Sequence, residues 1–227
     1  MKPSLFLTAA LFTCLLPNAF AQSVANPAPA DASLEFVENK GQWDAHARYA
    51  AALPSGRLFA EADGLTFALL DAPALAHHGH PTSNEPPTKG SASGADSVVR
   101  GHAVTLRFVG AAPTARLLAE ATTAERRNYF IGTDAHRWAS DVRGFRRLRY
   151  AGLWPGVDAQ VYENNAQELE YDFELAAGAD PMSIVLQHDG AEAVTLDAAG
   201  SLLLKTSVGS ITERAPQAWH TTATGIR

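Results

Sequence analysis

The stretch QELEYDFEL, residues 167–175, carries carboxylates on alternate positions: Glu168, Glu170, Asp172 and Glu174, interleaved with Leu169, Tyr171, Phe173 and Leu175. Two acids at i and i+2 of a strand stand about 7 Å apart, inside the roughly 6.5–9.5 Å separation used by inverting glycoside hydrolases. Several oxygens on one face could also serve a hard cation such as calcium. A third reading is the wet side of a half-buried strand, and register favours it. Alternate side chains of a strand share a face, so the four apolar residues form one row and the four acids the other. Burying the apolar row yields roughly 1.5–3 kcal/mol per side chain, whereas burying an unpaired carboxylate is costly or forces protonation. A hydrolase would further need one carboxyl kept protonated by its surroundings. Calcium would need six or more oxygens converging on one point, and same-face neighbours splay apart.

The segments before the acid row place partners for it. If Val157, Ala159 and Val161 point inward, Asp158, Gln160 and Tyr162 point outward; if Leu148 and Tyr150 point inward, Arg147 and Arg149 point outward. Three such strands in a meander, about 4.8 Å apart, bring arginines, mixed polar residues and acids side by side on one face. The candidate ligand-binding residues are therefore Arg147, Arg149, Asp158, Tyr162, Glu168, Glu170 and Asp172. No catalytic residue is assigned. No metal and no cofactor are expected.

Other constellations give less. His77, His78 and His80 in HHGH are spaced for zinc or copper, but no fourth ligand or rigid support accompanies them. Seven arginines (126, 127, 137, 143, 146, 147 and 149) are interleaved with Phe130, Trp138, Phe145 and Tyr150. That pattern could meet an anionic polymer, yet the net charge of −6 argues against nucleic acid. There is no G-x-S-x-G elbow, no H-E-x-x-H, no Walker loop and no G-x-G-x-x-G.

The first 21 residues read as a signal peptide: Lys2, the apolar run LFLTAALFTCLL, then Ala19-Phe20-Ala21 ahead of a cut before Gln22. Pro17 and Asn18 interrupt the run before the roughly 20 apolar residues of a membrane span. Cys14 follows a bulky Phe12 and Thr13, unlike a lipid-attachment cysteine, and it is the single cysteine of the chain. The exported protein is therefore expected to be secreted or held at the cell surface, without a disulfide or a transmembrane segment.

Residues 22–33, QSVANPAPADAS, read as a Pro/Ala-rich linker. Residues 71–96, rich in Pro, Gly and Ser, read as a disordered insertion. Elsewhere the apolar period is two, broken by turn signals: Asp63-Gly64, Pro155-Gly156, Glu163-Asn164-Asn165, Asp189-Gly190, Gly200 and Gly209. Only ATTAER and TDAHRWAS could make a turn or two of helix. The expected fold is all-β: an antiparallel β-sandwich over residues 34–227, with short hairpins and one long flexible loop.

Four blocks, FVENKGQW (36–43), NYFIGTDAHRW (128–138), RYAGLWPGVDAQVYENNAQELEYDFELAAGADP (149–181) and ERAPQAW (213–219), resemble an uncharacterised secreted domain. That domain stands at the N-terminus of bacterial surface proteins that carry SBBP (seven-bladed β-propeller-type) repeats or gliding-motility-type C-terminal sorting modules. The resemblance implies an extracellular all-β module with no activity to carry over. It also implies a longer chain, so the end at TTATGIR reads as a truncation that leaves a strand edge open near Trp219. The function expected is structural or adhesive, with a glycan or another surface-protein domain as partner. The alternative is a polysaccharide-acting enzyme or carbohydrate-binding module using the acidic strand.

Overall fold

The computed structural model describes residues 4–13, 33–71, 99–222 and 225–226, with residues 4–13 and 220–226 as backbone only. Residues 1–3 and 14–21 of the segment read as a signal peptide, most of the segment 22–33 read as a linker, the HHGH cluster and the part beyond Asp71 of the segment read as an insertion lie outside the described residues.

Sixteen strands follow in chain order. The first six are β1 (Ser4–Thr13), β2 (Phe36–Glu38), β3 (Tyr49–Leu53), β4 (Gly56–Ala60), β5 (Gly64–Leu70) and β6 (Gly101–Phe108). The middle four are β7 (Arg116–Tyr129), β8 (Ala139–Trp154), β9 (Val157–Glu163) and β10 (Leu169–Leu175). Then come β11 (Leu186–Asp189), β12 (Ala193–Leu196), β13 (Leu202–Thr206), β14 (Gly209–Glu213), β15 (Gln217–Thr222) and β16 (Gly225–Ile226). Single 3-10 turns at Ala135–Arg137 and Pro181–Ser183 are the helical elements among the described residues. The class is all-β, and the antiparallel sheets curl into a half-barrel.

Strand order runs β11-β6-β5-β4-β3-β2-β8-β9-β10-β1-β14-β13-β12, with β7 on β8, β15 on β1 and β16 on β15. The curl has a visible origin in β8. Phe145 pairs with both Phe36 and Thr122, and Arg147 with both Tyr162 and Glu120. One edge of β8 is therefore taken by β7, and the other is shared in succession by β2 and β9. At the handover the position a Gly144 Cβ would take is filled by the Glu35 carboxylate and the Thr123 hydroxyl, so any larger residue there would have to displace that pair.

The inward rows match the period-two reading. Val157, Ala159, Val161, Leu169, Tyr171, Phe173 and Leu175 are all buried, as are Leu148, Tyr150 and Trp154. They pack with Leu65, Phe67, Leu106 and Phe108 in one core that also takes Leu204 and Ile211 from β13 and β14. Phe108 sits edge-on to Tyr150, Trp154 and Phe173 at centroid distances of 5.0, 6.0 and 6.4 Å, the arrangement favoured by ring quadrupoles. The buried Tyr150 hydroxyl donates to the carbonyls of Glu61 and Gly64.

Two local expectations change. ATTAER is not helical: it lies in β7, whose register is interrupted between Thr122 and Arg126, and the segments on either side join into one 14-residue strand. The irregularity hid the continuous strand from a period-two search. TDAHRW does hold one turn, capped by Asp134, whose carboxylate accepts from the His136 amide. Near Trp219 the strand is paired with β1, Trp219 standing opposite Phe6, so that edge is not open on the β1 side.

Candidate functional site: the ionic outer face of β8, β9 and β10

Three rungs cross the outer face. Arg147 stands opposite Tyr162, and Tyr162 opposite Glu170; Arg149 stands opposite Gln160, and Gln160 opposite Asp172; Asp158 stands opposite Glu174. All seven expected site residues except Glu168 lie on these rungs. Glu168 precedes β10, where Arg214 donates to its Oε1 at 2.8 Å.

The contacts run diagonally. The Arg149 Nη2 donates to Asp158 Oδ2 at 2.6 Å and lies 3.8 Å from Glu174 Oε2. The other Asp158 oxygen accepts the Gly152 amide at 2.6 Å, so this carboxylate also fixes the irregular end of β8. Gln160 donates to Glu174, and Tyr162 donates to Asp172 Oδ2 at 2.7 Å. Arg147 does not reach the acids. Its guanidinium lies over the Tyr162 ring, 5.4 Å from the centroid, a cation–π contact of about 0.5–1 kcal/mol at an exposed site.

These groups are half-buried rather than bathed in water, and their acidity reflects it. Burial raises the Glu174 carboxyl above its ordinary 4.5, with Arg149 pulling the other way and Asp158 and Asp172 adding to the rise. Burial and then the bond to Asp172 raise the Tyr162 hydroxyl far above its ordinary value. The bond to Asp158 makes the Arg149 guanidinium harder to deprotonate. Asp172 Oδ1 and Glu168 Oε2 are buried without a hydrogen-bond partner. A buried acceptor left open costs about 1–3 kcal/mol.

A second polar cluster escaped the sequence reading. Glu213, 5% exposed, lies inside the core. Tyr171 donates to its Oε1, and Nε2 of His188 meets its Oε2 at 2.7 Å. Burial and Glu213 together hold the Tyr171 hydroxyl protonated to well above its ordinary range. His188 is on β11, at one end of the strand order, and Tyr171 on β10, eight strands along it, so Glu213 on β14 links two strands that are far apart in the sheet. The sequence signal was present but indirect: Ser210-Ile211-Thr212-Glu213 puts Glu213 on the same face as the buried Ile211.

The polar residues of the quoted blocks build turns. Asn39 accepts from the amides of Gly41 and Trp43 and donates to the carbonyls of Asp44 and Ala47. Asn164 accepts from the amides of Ala166 and Glu168. Asp180 caps the second 3-10 turn, and Gly156, at φ +74°, makes the β8–β9 turn.

Fold and face together define an all-β antiparallel domain whose charged outer face is hydrogen-bonded within itself. The family model described as Domain of unknown function (DUF7948) matches residues 36–227, and the chain belongs to that family. No curated protein and no solved structure matches it. Among the described residues no group of three His, Cys, Asp or Glu side chains could hold a metal ion, and no helix is long and apolar enough to cross a membrane.

Proposed function

We propose that this is a secreted or cell-surface structural or adhesive module, which presents the outer face of β8, β9 and β10 to a glycan or to another surface-protein domain. The observation that carries the reading is the pairing on that face: each of Asp158, Asp172 and Glu174 is tied to a different donor, and none converges with another in a closed cleft. The Arg147–Tyr162 stack offers a half-exposed aromatic surface of the sort sugars pack on. The resemblance to N-terminal domains ahead of SBBP repeats or sorting modules belongs to the same proposal, as does a sandwich-like closure of the two sheets. It rests on the four residue blocks, and the reading frame downstream of Arg227 tests it.

Binding to an immobilised glycan panel tests the face itself. Wild-type protein should retain a subset of glycans and Tyr162→Ala should lose it with its fold intact; identical retention by both removes the face from the binding role. A second reading, polysaccharide hydrolysis, draws on the raised pKa of Glu174, since a general acid must hold its proton. Release of reducing ends from the same panel by wild type, abolished in Glu174→Gln, would put the enzyme reading first.

A further inference from the structure

β1 lies between β10 and β15, antiparallel to both. Along β10 its inward register positions are Leu5 opposite Leu175, Leu7 opposite Phe173 and Ala9 opposite Tyr171. Its outward positions are Phe6 opposite Glu174, Thr8 opposite Asp172 and Leu11 opposite Glu170. These are residues of the segment read as a signal peptide, and cutting after Ala21 takes the strand away. β10 then keeps β9 and loses its other neighbour.

We propose that the vacated edge of β10 is a strand-accepting slot. In the exported protein it takes an extended segment of another protein, running antiparallel to β10, apolar at the inward positions and carrying hydrogen-bond donors at the outward ones. The inference rests on the reading that the leader is removed.

Three features support it. β10 has no proline, lysine or bulge, its charges are all acidic and lie on the outward face, and it pairs in unbroken register with β9 over Leu169–Leu175. Its inward side chains, Leu169, Tyr171, Phe173 and Leu175, are buried core residues with β1 in place, and a strand added at that edge lies beside them. Its outward face has a surplus of acceptors, with Asp172 Oδ1 unpartnered, so a strand bearing lysine, arginine or hydroxyls there answers both charge and hydrogen bonding. β15 is a poor substitute. It runs antiparallel to β1 and therefore parallel to β10, and only residues 214–216 link it to β14.

The test uses protein collected after export. Its mass first shows whether residues 1–21 are gone; a retained leader overturns both the export reading and the slot. With the leader gone, hydrogen exchange at β10 amides is followed with and without a peptide of residues 4–13, SLFLTAALFT, carrying Thr8→Lys for solubility. The amides that face away from β9 should exchange freely alone and slow about tenfold or more with peptide. Protection already complete in the free protein means that β15 or a second copy fills the edge, and this overturns the slot while leaving export standing. Absence of protection with peptide overturns it too. Register is read by disulfide formation, because the chain's single cysteine, Cys14, leaves with the leader. A Thr8→Cys peptide should cross-link to Asp172→Cys and not to Glu174→Cys, and equal cross-linking to both would sink the proposed alignment.

Discussion

The carboxylates of the outer face and the carboxylate of Glu213 are the same chemical group in two settings. On the outer face, Asp158, Asp172 and Glu174 accept from Arg149, Tyr162 and Gln160 respectively along a half-buried ladder, and losing one leaves solvent able to replace it. Inside the core, Glu213 alone satisfies a buried tyrosine and a nearly buried histidine from two distant strands. The charged row decorates the sheet, whereas the single buried acid helps to close it.

The largest expected effect therefore falls at Glu213. Replacing it by Ala leaves the Tyr171 hydroxyl and the His188 ring without partners and should cost about 2–5 kcal/mol, or roughly 4–20 °C in melting temperature for a domain of this size. Glu213→Gln keeps an acceptor for Tyr171 and should lose about half as much. A denaturant titration of both variants checks the order. If Glu213→Ala melts with the wild type, Glu213 does not act as a clasp.

Next comes Asp158, the outer-face acid with a structural duty. Its bonds to Arg149 and to the Gly152 amide tie the β8 irregularity to β9. Asp158→Ala should cost about 1–2 kcal/mol, and Asp158→Asn less, because the amide oxygen can still accept from Gly152. An effect as large as that of Glu213→Ala would erase the distinction between ladder and clasp.

The difference between the regions also explains what could be read in advance. Alternation in LEYDFEL assigned every residue of β10 to its correct face, since one wrong step would have buried three acids. The turn at Asp63-Gly64 and the four short strands from Leu186 to Glu213 were equally local. Glu213 was not legible as a partner of His188 and Tyr171, because the three come from strands on opposite sides of the curl and nothing in their spacing records it. Nor was Arg147 on Tyr162 foreseen: alternation puts both on the outer face, but whether the guanidinium reaches an acid or folds onto the ring depends on the diagonal that Arg149 already occupies. The curl itself depends on Gly144 and the shared edge of β8, a long-range packing fact.

pH sharpens the contrast within the outer face. Glu174 has a folded-state pKa raised above its ordinary 4.5, so the native state holds its proton more tightly than the unfolded chain does. Its contribution favours folding at low pH and is lost as the pH rises through the raised value. Glu38, bound through both oxygens to Arg143, is shifted down even though burial opposes it. Its stabilisation is present above 4.5 and disappears as the pH falls below that value. Melting curves across this range should show Glu38→Gln losing less stability than the wild type as the pH falls, and Glu174→Gln losing less as the pH rises through the raised Glu174 value. The opposite assignment would mean that the Arg149–Glu174 attraction outweighs burial.

The smallest effect is expected at Asp172, although it stands directly beside the buried Tyr171. Its side chain points outward, where Oδ2 accepts from Tyr162 and Oδ1 has no partner. In Asp172→Asn the amide oxygen can keep the Tyr162 bond while the amide nitrogen, in place of the open acceptor, faces a row of acids able to receive it. One like charge is removed from between Glu170 and Glu174 at the same time. The two changes offset the lost charge, so the melting temperature should move by no more than about 0.5 kcal/mol worth of stability in either direction. A drop comparable with that of Glu213→Ala would show that the charge on Asp172 is held by contacts of its own, and the outer row would then have to be counted as part of what keeps the half-barrel shut.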